Sequence, residues 1–438
     1  MNLILLSGGS GKRLWPLSND IRSKQFIKIF KGKNGEYESM LQRVFHQIKT
    51  VDTDAVVTIA TSKSQVSAIH NQLGMNVGIS VEPCRKDTFP AIALAASYLH
   101  DVQNVSSDEA VVVCPVDPYV NDDYFVAVRK LWELAQSDVA KIVLMGIKPT
   151  HPSERYGYIL PERVDFVSKV LSFKEKPDVS VAEQYIKDGG LWNSGVFAFK
   201  ISYVLERAHE LIHFSDYFDL FSKYDASPKI SFDYAVVELE DDIAVMNFNG
   251  TWNDIGTWNT LTAAMDESVI GNVRLNETCS NVYAVNEIGI PILGVGLKNI
   301  VIGASPEGIL VSDKEQSSFI KPYVDAIDQQ IMFAEKSWGN FRVLDVKENS
   351  LTIKVTLNSG YRMNYHSHER RDEIWTVISG QGVTIVDGMK QPVKSGDVIT
   401  MAAGCKHTVI AKTELQLIEI QIGNEISVSD KHKYELEE

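Results

Sequence analysis

Within the first 150 residues, short continuous apolar runs alternate with stretches whose apolar residues recur at helical spacing. The runs are NLILLS (2–7), AVVTIAT (55–61), GISVEP (78–83), AVVVCPVD (110–117) and KIVLMGI (141–147). Between them, MLQRVFHQIKTV (40–51), TFPAIALAASYLHDV (88–102) and YFVAVRKLWELA (124–135) predict helices. A strand that is apolar along its whole length must be covered on both faces, and helices in the connections can supply that cover. The pattern therefore predicts an α/β fold with a mainly parallel sheet. Ligands of such sheets bind at the carboxyl ends of the strands, where the strand order reverses.

The chain has 438 residues, enough for two or three domains. Residues 150–265 mix loops and short elements around YGYIL, FKEKP and WNSGVFAF. Beyond 268, NVYAVNE, PILGVG, NIVIGAS and GILVSD predict a small β segment, followed by a short linking helix near 323–336. From Ser337 to about Ile422, strands of four to eight residues with turns at SG, DG and AAG predict an all-β barrel or sandwich. The expected division is 1–265, 266–336 and 337–438.

A net charge of −14 disfavours nucleic acid and anionic membranes as partners. No apolar run approaches the roughly 20 residues of a membrane span. No basic segment precedes the first apolar run, so a cytoplasmic location is expected. Four widely separated cysteines argue against a disulfide framework or a cysteine zinc site.

LSGGSGKRLWPL (6–17) follows the first strand directly. It is not a Walker A loop, because Leu6 stands where the first glycine belongs. It is not a dinucleotide fingerprint, because Leu14 stands at the third glycine position. Successive glycine N–H groups can still form an anion-binding nest. Lys12, Arg13, Arg22 and Lys24, within thirteen residues, concentrate positive charge beside it. Asp117 ends an apolar strand, where a carboxylate has no packing role, and Asp254 is a second acid in WNDIG. Mg²⁺ prefers one or two carboxylates together with substrate phosphate oxygens. Glu175 and Lys176 offer a hydroxyl acceptor and a further cation. Together these groups suit nucleotidyl transfer to a phosphorylated, hydroxyl-rich acceptor.

The ordered set GGSGKRLWPL, SKQF (23–26), EP (82–83), PAIA (90–93), YGYI (156–159), FKEKP (173–177), WNSG (192–195) and WNDIG (252–256) resembles the sugar-nucleotide pyrophosphorylases. It is most similar to the long, cupin-tailed bacterial mannose-1-phosphate guanylyltransferases. The resemblance implies a Rossmann-like nucleotidyltransferase domain acting on GTP and α-D-mannose 1-phosphate, with a manno-heptose 1-phosphate as an alternative acceptor. It implies that Leu6, Ser7, Gly8, Gly9, Ser10, Gly11, Lys12 and Arg13 hold the nucleotide phosphates. Glu82, Pro83, Lys86, Asp87 and Thr88 would border the guanosine. Arg13, Lys24 and Asp117 would be catalytic, with Asp117 and Asp254 on Mg²⁺. Gly157, Glu175, Lys176, Asn193 and Gly195 would bind the sugar phosphate. KDTFP (86–90) stands where the family commonly has R-N-T-A-P, and lysine lacks the bidentate fork of arginine.

GYRMNYHSHERRDEIWTVISG (360–380) and GDVITMAAGCKH (396–407) carry a second constellation. His366 and His368 are two residues apart and share one face of a strand, where Glu373 and His407 on other strands can meet them. Three imidazoles and a carboxylate suit Zn²⁺ or a similar transition metal. The spacing resembles a cupin. Relatives whose cupin is a mannose-6-phosphate isomerase share SWG (337–339), His368, Glu373, Trp375, His407 and IEIQ (418–421), but end in a D-x-Y-G-R-like tail. Here Tyr434 precedes Glu435, and the arginine is missing. An isomerase and a structural cupin both stay open, as does assembly into a homo-oligomer.

Overall fold

The computed structural model describes all residues except Ser10, Val428, Glu437 and Glu438. Two compact units emerge. The first comprises Met1–Ser10, Ser23–Val66 and Met75–Glu267; the second comprises Gly11–Arg22, Ser67–Gly74 and Ser268–Glu438.

The first unit is built on strands β1 (Asn2–Ser7), β2 (Val56–Ser62), β3 (Gly78–Glu82), β4 (Ala110–Pro115), β5 (Pro118–Val120), β6 (Ile142–Ile147), β7 (Tyr158–Pro161), β8 (Val167–Lys174), β9 (Leu191–Lys200), β10 (Ile243–Phe248) and β11 (Trp252–Asp254). Nine of them form one sheet in the order β3-β2-β1-β4-β9-β6-β10-β8-β7. The quartet β3-β2-β1-β4 is wholly parallel, as the alternating sequence predicts. β9 and β8 run against their neighbours. Hydrophobicity alone could not reveal this, since a buried strand is equally apolar in either direction. β1 lies between β2 and β4, so the chain changes direction across the sheet there, and a ligand crevice opens at the strand ends.

Helix Met40–Val51 has the predicted bounds, because Ser39 and Gln42 form a reciprocal capping box. Helix Thr88–Ser97 is buried on all sides and continues as a π-helical turn, Tyr98–Val102. The core joins Val111, Val113, Leu144, Phe197, Phe199 and Phe232.

In the second unit, Ser280–Asn286 and Lys298–Ser305 pair in parallel over a small core of Val282, Ala284 and Ile302. The linking helix expected near 323–336 is confined to Lys321–Asp325. Phe333–Lys336 is instead a strand, turned back through Ser337 and Trp338 onto Gly339–Lys347. Antiparallel sheets of six and five strands follow, enclosing Trp375, Val377, Val409 and Leu417. No described helix is long and apolar enough to cross a membrane.

The same unit holds two cations that the sequence groups with the phosphate loop. Arg22 is buried and makes a bidentate pair with Glu287, at 2.7 and 2.9 Å. Lys12 Nζ lies 3.0 Å from Asp325 Oδ1. Asn19 Nδ2 donates to Glu307 Oε1 at 2.8 Å. Arg22 is therefore an internal anchor rather than part of a phosphate-binding cluster. Arg22→Met should orphan Glu287 and cost about 3 kcal/mol, lowering the unit's thermal transition by roughly 6–12 °C in calorimetry. An unmoved transition would show that the pair adds no stability.

Candidate active site and candidate metal centre

The glycine loop leaves β1 over a buried polar network. Ser23 Oγ donates to the Gly9 carbonyl at 3.0 Å, and Gln65 Nε2 donates to Ser23 Oγ at 2.7 Å. Thr61 Oγ1 lies 2.9 Å from Gln65 Oε1 and 3.2 Å from the Ser7 carbonyl, two acceptors for its one proton, while Gln25 Nε2 donates to Ser7 Oγ. Ser7, Ser23, Gln25, Thr61 and Gln65 are all buried. The SKQF motif thus has a physical role: it fixes the loop's carbonyl side. Gly9 sits at φ 108°, a conformation that L side chains rarely adopt.

Leu6, Ser7, Gly8, Gly9, Glu82, Lys86, Asp87 and Thr88 line one cavity of about 230 Å³. Pro83 is exposed beside it and is not part of the lining. Ser10 lies outside the described residues. Gly11, Lys12 and Arg13 belong to the second unit, in and before the short turn Lys12–Leu14. The Lys86 ammonium is held by the Asp225 carbonyl, while Arg85, which the sequence reading passed over, lines the cavity. Tyr224 donates its hydroxyl to Glu82 Oε2 at 2.8 Å. Burial raises the Glu82 pKa, opposed by that hydrogen bond and by the charge of Arg85.

A second cavity, of about 250 Å³, contains Asp117, Asp254, Gly157, Glu175, Asn193 and Gly195 together. The short ribbon of β5 and β11 sets Asp254 opposite Pro118, next to Asp117. Lys24 Nζ reaches Asp117 Oδ2 at 2.8 Å and the Ile255 carbonyl at 2.8 Å. Two carboxylates in one cavity can hold a hard divalent cation with room left for phosphate oxygens.

β9 shifts register between Asn193 and Phe197, delivering Asn193, Ser194 and Gly195 to the cavity. A Cβ on Gly157 would come 2.5 Å from Glu175 Oε2, so any side chain there would displace the Glu175 carboxylate. The Lys176 ammonium pairs with Glu175, and its backbone is left-handed at φ 45°.

Asp233 is a member of this cavity that the sequence reading missed; FDYA reads only as one turn of helix. Phe232 anchors that turn against Phe197 and Phe199, with ring centroids 4.9 and 5.3 Å away. Burial, reinforced by the charge of Glu175, pushes Asp233 up to about 7. Arg155, Tyr156 and Trp252 also line the cavity.

His366, His368, Glu373 and His407 are buried, with one ligand atom of each within 4.8 Å of the others. Each imidazole places Nδ1 against a carbonyl: His366 on Asn364 at 2.6 Å, His368 on Asp430 at 2.5 Å, His407 on Cys405 at 3.0 Å. A carbonyl only accepts, so each Nδ1 carries the proton and each Nε2 is left as a lone-pair donor to a metal. His407 Nε2 and Glu373 Oε2 face one another at 3.2 Å, both buried and, among the described residues, without a hydrogen-bond partner. Two facing acceptors want a cation between them, and the donor set fits a transition metal.

Arg371 meets part of that need, with Nη2 3.1 Å from His368 Nε2 and Nε 3.3 Å from Glu373 Oε1. The tail lacks the arginine of isomerase relatives but brings Lys431 close to Glu419 and Glu373, with its pKa lowered by burial. In the sequence these groups look like spacers.

Residues 2–269 match the family model described as nucleotidyl transferase. The chain belongs to that family. Residues 353–421 match the cupin domain model. XanB, a xanthan biosynthesis protein of Xanthomonas campestris pv. campestris, is 30% identical over 99% of this chain and 97% of its own length. A Vibrio cholerae protein named putative mannose-1-phosphate guanylyltransferase is 28% identical over 99% of both chains. A crystal structure from Thermus thermophilus, titled mannose-1-phosphate geranyltransferase, has a TM-score of 0.62 at 26% identity, covering 74% of this chain and 98% of that one. The similarity to long guanylyltransferases read from the sequence therefore extends through both parts of this nucleotidyl transferase.

The raised pKa of Asp233 makes stability depend on pH. Folding favours its protonated form, so its contribution is complete below about pH 4 and is lost as pH rises through about 7. Asp233→Asn should flatten the fall in thermal stability between about pH 4 and 7. An identical pH profile in the variant would place the titration elsewhere.

Proposed function

We propose that the chain transfers a guanylyl group from GTP to α-D-mannose 1-phosphate, releasing pyrophosphate. One observation carries the reading: Asp117 and Asp254 share a cavity with Glu175 and Asn193, and Lys24 binds Asp117 from beside the glycine loop. Full-length relatives named mannose-1-phosphate guanylyltransferase support the choice of acceptor. Glu82 supports guanine, because a carboxylate fixed by Tyr224 can accept from the N1–H and the N2 amino group of that base. Adenine offers no such pair of donors.

In the reaction, a phosphate oxygen of the sugar 1-phosphate attacks the α-phosphorus of GTP. The bond to the β-phosphate oxygen breaks, and pyrophosphate carries away its electron pair. The attacking oxygen is already ionised, so no general base is required. Asp117 and Asp254 would hold Mg²⁺, which supplies neutralising charge at the transferring phosphate. Lys24 exchanges Asp117 for phosphate oxygens, and the glycine-loop amides orient the triphosphate for in-line displacement.

A matrix of nucleoside triphosphates against sugar 1-phosphates, including a manno-heptose, should give most pyrophosphate with GTP and mannose 1-phosphate, and only with Mg²⁺. Asp117→Asn and Lys24→Ala should each lower kcat by about 100-fold or more while the protein stays folded. Near-normal pyrophosphate release by Asp117→Asn would remove that residue from the mechanism.

We also propose that the cupin holds Zn²⁺ or a similar ion on His366, His368, Glu373 and His407. The facing acceptors of His407 and Glu373 support this reading. Elemental analysis should find about one equivalent of metal per chain, lost in His407→Ala with pyrophosphate release unchanged. Metal content equal in both proteins would refute the assignment.

A further inference from the structure

We propose that Asp233 determines acceptor specificity: its carboxylate, with that of Glu175, accepts hydrogen bonds from the sugar ring and orients the Asn193 amide toward the same ring. This rests on the reading of the second cavity as the sugar 1-phosphate subsite.

The orientation of Asn193 is set by its partners. Its Nδ2 donates to Asp233 Oδ1 at 2.7 Å, and its Oδ1 accepts from the Gly195 N–H at 3.1 Å. Its backbone N–H donates to the Gly157 carbonyl at 2.8 Å. When ionised, Asp233 only accepts, so in that state the amide cannot flip without setting two acceptors against each other. One amide hydrogen and one carbonyl lone pair remain for a ligand.

The charges in the cavity are lopsided. Four carboxylates line it: Asp117, Glu175, Asp233 and Asp254. Lys24 serves Asp117, Lys176 serves Glu175 and Arg155 is the cation of the lining itself, while Asp233 takes part in no described ion pair. Asp233 is half-buried, and a half-buried carboxylate needs hydrogen-bond donors. A phosphate would be repelled there, whereas vicinal hydroxyls bring donors without charge. The cavity is therefore polar in direction: the phosphate belongs at the Asp117–Asp254 end and the ring at the Glu175–Asp233 end. Asp233, on a short helix of its own, is held against the strand that carries Asn193 by the packing of Phe232 on Phe197 and Phe199.

The test pairs variants with a series of mannose 1-phosphates each lacking one ring hydroxyl. The wild type should discriminate against at least one deoxy acceptor by about tenfold or more in kcat/KM, since losing that hydroxyl leaves a site acceptor unpaired. Asp233→Ala should raise KM for the intact sugar by about tenfold, leave KM for GTP within about twofold, and erase the discrimination at that hydroxyl. Asp233→Asn, nearly isosteric, guards against misfolding and should show the same split. Discrimination retained at every position in both variants, or KM rising equally for both substrates, would overturn the assignment of Asp233 alone. Failure of the wild type to use any sugar 1-phosphate would overturn this reading and the one beneath it.

Discussion

The architecture of the site depends on one ammonium group. Lys24 Nζ sits 2.8 Å from Asp117 Oδ2 and 2.8 Å from the Ile255 carbonyl. It thereby joins three segments that are remote in sequence: the SKQF turn, the end of β4 and the loop after β11. Both charged side chains are partly exposed, so the pair contributes at most about 1 kcal/mol to stability. Its importance is positional. Two aspartates lining one cavity repel each other unless a cation stands near, and Lys24 supplies that cation in the free protein. Under the proposed function, the same ammonium would turn toward phosphate once a divalent ion took over the carboxylates.

The first unit was largely legible, because burying a parallel sheet leaves a strong mark on sequence. Continuous apolar strands, helical spacing between them and polar groups at the strand ends follow from one constraint. Asp117 stood out because it ends an apolar run, Glu175 and Asp254 as acids in FKEKP and WNDIG, and Asn193 only through the family resemblance; all four line one cavity. What escaped was geometry that apolarity does not encode. The antiparallel direction of β9 and its register shift at Asn193 leave no hydrophobic trace. Arg22 was grouped with Lys24 because they are neighbours in sequence, yet Arg22 is committed to Glu287. Asp233 was not singled out, since nothing local reveals that Phe232 pins its turn to the core.

The cupin shows the same contrast. His366 and His368 announced themselves through the two-residue period of a strand, and His407 and Glu373 through their spacing. Arg371 and Lys431 did not, because a cation inside a barrel looks in sequence like any exposed cation. In both regions, acceptors without matching donors mark the place for a ligand. Glu373 and His407 present lone pairs to each other, and Asp233 shares a cavity with Glu175, to which the described ion pair of Lys176 goes.

The most direct test of the central claim is a crystal structure containing a non-hydrolysable GTP analogue, mannose 1-phosphate and Mg²⁺. The expected result is a divalent ion shared by Asp117 and Asp254, with the Lys24 ammonium displaced from Asp117 onto phosphate oxygens. A nucleotide bound with Lys24 still seated on Asp117, or an ion that touches neither aspartate, would contradict the account.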